Sequence, residues 1–504
     1  MAAAPVPTGG VVWNFALSYS ASGRWRIRGA CLSMSVRFDT YDYCIIGSGA
    51  AGLTLAYMLL KEKKRVLMIE RDARAGGLAK SHNHQGHVFD TGPKRFHTDD
   101  PIVKDFIHDV MSNAISLDTI GRSTLVHFAE RYFNWPLTTG DLFKLPLGIS
   151  VRAAFDLVTK KPNPLPHSFH QFISSKYGET LFRIFFKPYT EKFLRWEVED
   201  IHSDWASTGI NRTVIDKEVK AESLIDLLRL LTLPKKTDTK FLYPTHNGFG
   251  SFFERLFALC EANDTFDVLL SDTITRLEDR GDTFEAQSKS GSRLVFENLV
   301  WSGNLKDLCR LISPEQYNLH YINTVFFNLV CREEAVARHR AQWIYVSRGD
   351  YLVSRITCMR EFSRNTCPDG YYNFICEVTD SQRLPQYFKQ PESHIDQVFN
   401  EIVRMGFLKS RGGIEAVHIN PVLDTYPIYH QSYKRDFGAA VRAVKHFSKR
   451  IHLIGRCGAY WYNNSDHSIR MALDMAEKLL RDPEREFDFR TYFGGVLKEG
   501  VVQH

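Results

Sequence analysis

Residues 41–72 read YDYCIIGSGAAGLTLAYMLLKEKKRVLMIERD, and this stretch decides the fold. The apolar run that ends at Ile46 is typical of a strand covered on both faces. Three glycines spaced G-x-G-x-x-G follow, then a helical pattern and a second apolar run that ends in Glu70. Such glycines allow a tight turn, close approach of the backbone to a pyrophosphate, and close helix–strand packing. The carboxylate of the acid accepts a hydrogen bond from a ribose hydroxyl. Glycines also form ordinary turns, but this order of elements predicts a dinucleotide site.

The segment after Glu70 indicates which dinucleotide binds. A second glycine pair, Gly76 and Gly77, follows at once, where an NAD-binding unit would run on into another helix. Alone, that pair indicates only a flexible loop. Joined to the first motif, it resembles the extended fingerprint of the FAD-binding superfamily of amine oxidases, protoporphyrinogen oxidase and UDP-galactopyranose mutase. The resemblance implies non-covalent FAD, bound at this end of the chain by Gly47, Gly49, Ala51, Gly52, Glu70, Arg71, Gly77 and Leu78.

The C-terminal stretch HLIGRCGAYWYNNSDHSIRMALDMAEKL resembles the last FAD-binding motif of the same superfamily. There, a strand delivers a Gly-Arg pair and a helix N-terminus lies beside the flavin or the pyrophosphate. The positions that match are Gly455, Arg456, Asp466 and Ser468. An acid and a hydroxyl at a helix start are also what an ordinary N-cap requires, so Asp466 has a structural interpretation as well.

The composition argues against several other classes. The 504 residues are too many for one compact core, and 44% apolar content is ordinary for a globular protein. Nine cysteines without a C-x-x-C pair indicate free thiols in a reducing compartment, hence a cytoplasmic location and neither disulfides nor a metal site. The net charge of +6 is spread in short clusters, so we expect no nucleic-acid partner. No apolar run predicts a transmembrane segment, and the oligomeric state stays open.

The order of elements predicts an α/β fold in which a discontinuous Rossmann-like FAD-binding domain carries an inserted, mixed helical and antiparallel β substrate domain. A cofactor at the strand carboxyl ends would face the inserted domain across a cleft. Residues 1–38 lack any acid, and we expect a disordered extension there, either a transit peptide or, as we favour, sequence upstream of a start at Met34. The FAD-binding segments are expected at 39–103, 235–310 and 421–485, a helical substrate domain at 104–234, a β-rich one at 311–420, and a tail at 486–504.

Within the superfamily, several stretches resemble UDP-galactopyranose mutase and related protoporphyrinogen-oxidase-like proteins. GPKRFHT resembles a loop with a histidine near the flavin, which points to His97. PYTEKFLRW resembles the border of the substrate cleft and points to Tyr189 and Arg195, while YPIYHQSY points to Tyr429 and GRCGAYWY points to Tyr460 and Tyr462. Other aromatic residues are expected in the core, namely Phe133, Trp135, Trp196 and Trp205.

The arginines that hold the diphosphate in the mutases are matched only in part. The first bacterial arginine falls near Arg195, and the second position is occupied by Ile322. Eukaryotic mutases place an arginine further along that strand, about where Arg332 stands. Because a dianionic pyrophosphate needs bidentate donors, the resemblance implies Arg195 and Arg332 as the pair.

Three functions follow from these resemblances. In a mutase, reduced FAD uses N5 as a nucleophile on the anomeric carbon of a nucleotide sugar, and NAD(P)H supplies the electrons. Arg195 and Arg332 would then hold the diphosphate, the tyrosines would orient it, and His97 would tune the flavin. In an oxidoreductase, FAD takes a hydride from an amine, a porphyrinogen or a polyene in an aromatic-lined pocket. The third candidate is a flavoprotein without catalytic activity. Of the three, we predict the mutase, with the oxidoreductase as the alternative.

Overall fold

The structure, a computed structural model, describes residues 37–483 apart from 113, 136–143, 145, 160, 162, 164, 207–239, 338–339 and 384, together with 17–19, 25–27 and 487. Residues 1–37 form a compact unit of their own, in which β1 (Leu17–Tyr19) pairs antiparallel with β2 (Trp25–Ile27). The expected extension over 1–38 and the expected tail over 486–504 otherwise lie almost wholly outside the described residues.

Strands and helices alternate through the second unit, residues 38–504. The strands are β3 (Tyr41–Ile46), β4 (Val66–Glu70), β5 (Ser81–His84), β6 (His87–Asp90), β7 (Leu117–Gly121), β8 (Thr124–Phe128), β9 (Arg131–Asn134), β10 (Lys240–Pro244), β11 (Phe266–Leu270), β12 (Ile274–Asp279), β13 (Phe284–Ser288), β14 (Arg293–Trp301), β15 (Tyr321–Arg332), β16 (Trp343–Val346), β17 (Arg355–Cys358), β18 (Tyr371–Ser381), β19 (Ile414–Pro427) and β20 (Ile451–Leu453). The helices of eight or more residues are α1 (Ala50–Lys61), α2 (Pro101–Met111), α3 (Leu147–Thr159), α4 (Phe169–Tyr177), α5 (Lys187–Leu194), α6 (Gly250–Glu261), α7 (Leu305–Ile312), α8 (Ile395–Arg404), α9 (Tyr433–Phe447) and α10 (Ser465–Arg481).

One sheet collects strands from three distant parts of the chain. It runs in the order β11-β4-β3-β14-β13-β12, and β20 pairs with β14. Strands β11, β4, β3, β14 and β20 pair parallel, and β13 and β12 extend the sheet antiparallel. The parallel strands are apolar because helices cover both faces of such a sheet. This is the Rossmann-like architecture that the first motif predicts, and its carboxyl edge gathers loops from all three parts of the chain.

A second sheet forms the inserted layer, in the order β19-β15-β18-β17-β16-β8-β9. Strand β15 is buried almost throughout and pairs antiparallel on both sides. Strands β8 and β9 of this sheet form a hairpin within residues 104–234, where the sequence predicts a helical substrate domain, so this range contains strands as well as helices. The hairpin is short, and its turn residues Ala129 and Glu130 have positive φ, so no glycine or proline marks the turn in the sequence.

Helices of the described residues are all too short or too polar to cross a bilayer.

Candidate functional site

A cavity of about 670 Å³ opens at the carboxyl edge of the Rossmann-like sheet, within the roughly 300–1,000 Å³ typical of cofactor sites. Loops that follow β3, β4, β14 and β20 line it, as expected for a ligand at the carboxyl ends of parallel strands. Ten of the twelve residues that the sequence indicates for the cofactor are in its wall: Gly47, Gly49, Ala51, Glu70, Arg71, Gly77, Leu78, Gly455, Arg456 and Ser468.

The three motif glycines have the separate geometric roles that the motif implies. Gly47 has φ +94°, and a Cβ there would lie 2.5 Å from Ser302 Oγ. A Cβ at Gly52 would lie 2.0 Å from the carbonyl oxygen of Gly47, so α1 can approach β3 only without a side chain there. Gly49, the N-cap of α1, has no side-chain cap, and a Cβ there would meet nothing within 4 Å. The helix start therefore offers its first-turn N–H groups and open space to an anion, which fits a pyrophosphate.

Glu70 is buried at the end of β4 and is held in place by the glycine loop. Its Oε2 accepts hydrogen bonds from Ser48 N at 2.8 Å and Ser48 Oγ at 2.6 Å, and Oε1 accepts one from Asp72 N at 2.9 Å. Arg71 pairs with Asp424 at 3.0 Å, and both residues line the cavity. A carboxylate oxygen accepts more than one hydrogen bond, so Glu70 retains capacity for a ribose hydroxyl.

Replacing Glu70 by alanine is expected to weaken cofactor binding. The change removes a ribose acceptor and releases Ser48 from the glycine loop, each contribution being about 1–2 kcal/mol. We therefore expect the dissociation constant for FAD to rise at least roughly 10-fold in fluorescence-quenching titrations of the cofactor-free protein. Glu415→Ala, which alters an exposed ion pair remote from the cavity wall, is the control. Equal affinities for the two variants would contradict the assigned role.

The C-terminal motif delivers Arg456 and the start of α10 to the same cavity. Arg456 donates to the carbonyl oxygens of Thr425, at 2.8 Å, and Asn463. The N-cap of α10 is Asn464, in a capping box with His467, and not Asp466. Asp466 is buried and does not line the cavity. Although its burial raises the pKa, the neighbouring His467 lowers it overall. Ser468 lines the cavity, and the contact of Asp466 with the cofactor stays a prediction.

Two other parts of the cavity wall are not predicted by any motif named above. One is Ser302–Asn304, directly after β14, and the other is Asn420–Asp424 in β19. A buried strand followed by S-G-N is the signal that could have identified the first. The second carries no motif, because β19 belongs to the other sheet and reaches the cavity only through the tertiary fold.

A second cavity adjoins the first, between the sheet edge, α5 and the inserted sheet. The two cavities share wall residues from the segment after β6 and from the C-terminal motif: Thr91, Lys94, Arg456, Asn464 and Ser465. Aromatic side chains form much of the second wall, namely Trp135, Phe185, Phe186, Tyr189, Phe193, Trp205, Tyr345, Tyr426 and Tyr462. Two of them, Trp135 and Trp205, were expected in the core. Phe185 and Phe186 belong to a π-helical turn, a feature frequent at functional sites.

The second cavity is cationic. Lys94, Arg95, Arg355 and Arg456 line it, and among the described residues of its wall there is no carboxylate. Behind the wall, Arg355 forms a bidentate pair with Glu377, with bonds of 2.7 and 2.6 Å. Arg95 stacks on the rings of Phe241 and Trp343. Burial lowers the pKa of Arg95 to about 10, so it stays charged at neutral pH. This wall fits an anion that carries an apolar or aromatic part.

Two of the predicted catalytic residues lie in this second cavity. His97 lines it, with its ring edge-on to Phe241, and burial and then Arg95 lower its pKa, so the imidazole is neutral near pH 7. Tyr189 lines it from α5, beside Phe193 and Tyr345. Both side chains are therefore available to a ligand there.

The other four predicted catalytic residues do not line either cavity. Arg332 lies at the surface, paired with Glu415 and stacked on Tyr371. Arg195, in the left-handed C-cap of α5, donates to the carbonyl oxygen of Thr379 at 3.0 Å and stacks on Tyr387. The prediction that these arginines hold a diphosphate therefore needs correction, because the strand register and the helix end direct them elsewhere.

The two remaining tyrosines are structural. Tyr429 is fully buried, accepts from Tyr462 N at 2.8 Å and donates to the carbonyl oxygen of Tyr460. The Tyr460 hydroxyl lies 2.7 Å from the carbonyl oxygen of Ile428 and 3.0 Å from that of His320. These hydroxyls tie the C-terminal motif to β19, and the neighbouring Tyr426 and Tyr462 take the places in the cavity wall.

Comparison with known proteins agrees with this geometry. Residues 45–110 match the family described as NAD(P)-binding Rossmann-like domain. Among curated relatives, the chain is 39% identical over 93 residues to the inactive all-trans-retinol 13,14-reductase of Danio rerio, covering 18% of this chain and 14% of that protein. It is 35% identical over 75 residues to UDP-galactopyranose mutase of Mycoplasma pneumoniae, covering 14% and 19%. These matches thus span less than a fifth of either relative.

Solved structures share the fold over nearly their whole length. Reduced UDP-galactopyranose mutase superposes with a TM-score of 0.75 at 18% identity, covering 87% of this chain and 95% of that one. A protoporphyrinogen-oxidase-like protein from Exiguobacterium gives 0.68 at 15% identity, with 87% and 98% covered. Putrescine oxidase bound to putrescine gives 0.55 at 13%, with 88% and 99% covered. The chain therefore has the fold of this group of mutases and oxidases.

Proposed function

We propose that this protein is an FAD-dependent enzyme that converts an anionic small molecule in the second cavity. The cofactor assignment is supported by the glycine-lined wall, the uncapped start of α1 and the position of Glu70. The pyrophosphate fits at α1 and the ribose at Glu70. Arg456 and Lys94, which line both cavities, would then lie between the cofactor and the substrate.

The specific reaction that we propose is the pyranose–furanose interconversion of a nucleotide sugar. The observation that carries it is the cationic, carboxylate-free wall among the described residues of the second cavity, which suits a diphosphate. The aromatic residues beside it suit a base and a sugar ring. Arg95 and Arg355 would take the role that the sequence assigned to Arg195 and Arg332. The similarity of fold to reduced UDP-galactopyranose mutase agrees with this choice.

Bound FAD supplies nucleophilic or hydride-accepting chemistry, and this chain supplies binding and orientation. Arg95 and Arg355 neutralise the diphosphate, and Glu377 fixes the guanidinium of Arg355 through two parallel bonds. Tyr189 and Tyr462 offer phenol groups to the sugar, and the aromatic wall excludes water from the reacting atoms. In the mutase, NAD(P)H would keep the cofactor reduced.

An oxidoreductase is the second candidate, because the same wall is rich in aromatic residues. A substrate with an extended apolar body and carboxylates, such as a porphyrinogen, would satisfy both features of the cavity. A cationic amine would not, since the charged guanidinium groups of Arg95, Arg355 and Arg456 line the wall and would repel it. Among the possible oxidoreductase substrates, an amine therefore fits the charge of this cavity least well.

One comparison separates the candidates. Purified enzyme is reduced anaerobically with dithionite and mixed with UDP-galactofuranose, and the nucleotide sugars are separated by ion-exchange chromatography. The mutase predicts UDP-galactopyranose at unchanged total sugar nucleotide. The oxidoreductase predicts no isomer, together with oxygen consumption when oxidised enzyme meets protoporphyrinogen. Turnover with neither substrate would contradict both assignments.

Replacing Arg95 by methionine is expected to weaken substrate binding and leave the cofactor in place. The loss of a charged donor to a phosphate should cost about 1.5–3 kcal/mol, so KM rises roughly 10- to 100-fold. Methionine keeps the packing against Phe241 and Trp343. Arg332→Met, at the surface, is the matched control with unchanged KM. A fall in FAD content for Arg95→Met would contradict this assignment.

A cytoplasmic location belongs to the same proposal. The eight cysteines among the described residues are all free, and seven of them are buried, as expected for a protein in a reducing compartment.

A further inference from the structure

Lys94 stands out among the lysines because it lines both cavities and its ammonium group makes no hydrogen bond or ion pair with any described residue. The ammonium groups of two buried lysines, by contrast, have hydrogen-bond acceptors. Lys192 donates to the carbonyl oxygens of Val346, Arg348 and Val353 at 2.6–2.9 Å. Lys478 donates to that of Pro483 at 2.7 Å. An ammonium group carries three donors, so Lys94 is left with unmet hydrogen-bonding capacity where a ligand would lie.

The charges that face Lys94 do not supply the missing partner. Arg355 on β17 and Glu377 on β18 form a bidentate pair and largely offset each other. Among the described residues, Arg456 donates hydrogen bonds to neutral carbonyls, so no bonded carboxylate offsets its positive charge. The oxygens of Asp90 on β6 are occupied by Ser81 Oγ, by Tyr243 and by the N–H of Phe249, although its negative charge opposes that of Arg456 at Lys94. The neighbouring charges therefore largely offset one another, and the enclosed position without a hydrogen-bond partner is the main influence on the charge of Lys94.

Such surroundings disfavour the charged form of a lysine. Burial, followed by Arg456 and Arg355, lowers the pKa of Lys94 to about 7. At pH 8 roughly nine in ten molecules then carry the free amine. An anion within about 4–6 Å reverses this preference, because it stabilises the ammonium form.

We propose that Lys94 is the proton-exchanging residue of this site: it is a free amine while the second cavity is empty, and it takes up one proton from solvent when an anionic group of the substrate enters. The step is a proton transfer alone, from water or buffer to Nζ, with no change in oxidation state. Because Lys94 also lines the cofactor cavity, the new charge acts on both ligands. The inference rests on the proposed function in requiring an anionic ligand.

Calorimetry with UDP as the probe tests the coupling in the FAD-loaded protein. Binding near pH 8 is measured in two buffers of different ionisation enthalpy, which gives the number of protons taken up. We expect clear proton uptake by the wild type, because Lys94 has no hydrogen-bond partner among the described residues before UDP enters and its pKa is lowered there. Lys94→Arg keeps the charge but cannot exchange a proton, so it should bind UDP with uptake near zero. Lys61→Met, at an exposed surface pair, should match the wild type. Equal uptake by wild type and Lys94→Arg would overturn the inference.

A ligand-free measurement separates this inference from the proposed function. The rate at which Lys94 reacts with acetic anhydride, followed by peptide mass spectrometry across pH, should have its midpoint near 7, far below the value of about 10.4 that is ordinary for a lysine in water. A midpoint near that ordinary value overturns the inference even if UDP binds. If UDP does not bind, the nucleotide-sugar function falls, and protoporphyrin, a dicarboxylate, replaces UDP in the same comparison. Failure of both anions to bind overturns the inference as well.

Discussion

Glu377→Gln is expected to lower the free energy of unfolding by about 3–5 kcal/mol. The side chains of Glu377 and Arg355 are 1% and 10% exposed, and two parallel hydrogen bonds join them. Glutamine has nearly the same shape but no charge, so the guanidinium of Arg355 is left enclosed without its counter-charge. Removing one partner of a buried ion pair destabilises the protein by more than the intact pair stabilises it, because the remaining charge stays desolvated without a counter-charge.

Urea unfolding of the FAD-loaded protein, followed by circular dichroism, gives the measurement. Glu415→Gln is the control, because it removes the partner of the exposed Arg332 and should change stability by less than about 1 kcal/mol. The double variant Arg355→Met/Glu377→Met adds a second check. It removes both charges, so it should be more stable than Glu377→Gln. Equal losses in Glu377→Gln and Glu415→Gln would show that the pair in the cavity wall is not desolvated.

Gly52→Ala is expected to abolish FAD retention and to destabilise the Rossmann-like sheet by about 3 kcal/mol or more. The new Cβ would lie 2.0 Å from the carbonyl oxygen of Gly47, and a backbone atom cannot rotate away as a side chain can. Helix α1 must then move away from β3, which removes its N-terminus from the pyrophosphate position. The flavin absorbance of the purified protein and its thermal midpoint are the two measurements.

Two other glycines separate loss of the fold from loss of the cofactor. Gly49→Ala places its Cβ in open space at the cavity wall, so the thermal midpoint of the cofactor-free protein should stay unchanged while FAD affinity falls. Gly121 lies on β7, outside the cavity wall, and a Cβ added there would meet nothing within 4 Å. Gly121→Ala should therefore change neither the thermal midpoint nor the FAD affinity. Normal flavin content in Gly52→Ala would contradict the close helix–strand contact.

The sequence by itself determined the cofactor half of this protein. Turn, helix start and strand end are local features, and the residues that form them are neighbours along the chain. Gly47, Gly49 and Glu70 could therefore be assigned from spacing alone, and ten of twelve predicted residues line one cavity. Asp466 is not among those ten, and its contact with the cofactor stays a prediction; the alternative that it is an ordinary N-cap is excluded, because Asn464 serves as the N-cap.

The tertiary structure alone decided the lining of the second cavity. Its wall joins Lys94, Arg355 and Phe185, which come from three distant elements. Whether an arginine faces a cavity depends on strand register and on the direction in which a helix ends, and neither follows from a short motif. Arg332 and Arg195 match family motifs, yet register and the C-cap of α5 place them elsewhere, while Arg355 carries no motif and lines the wall. The spacing of neighbouring residues can be read from the sequence, but the charge that lines a cavity between two sheets is set only when those sheets pack together.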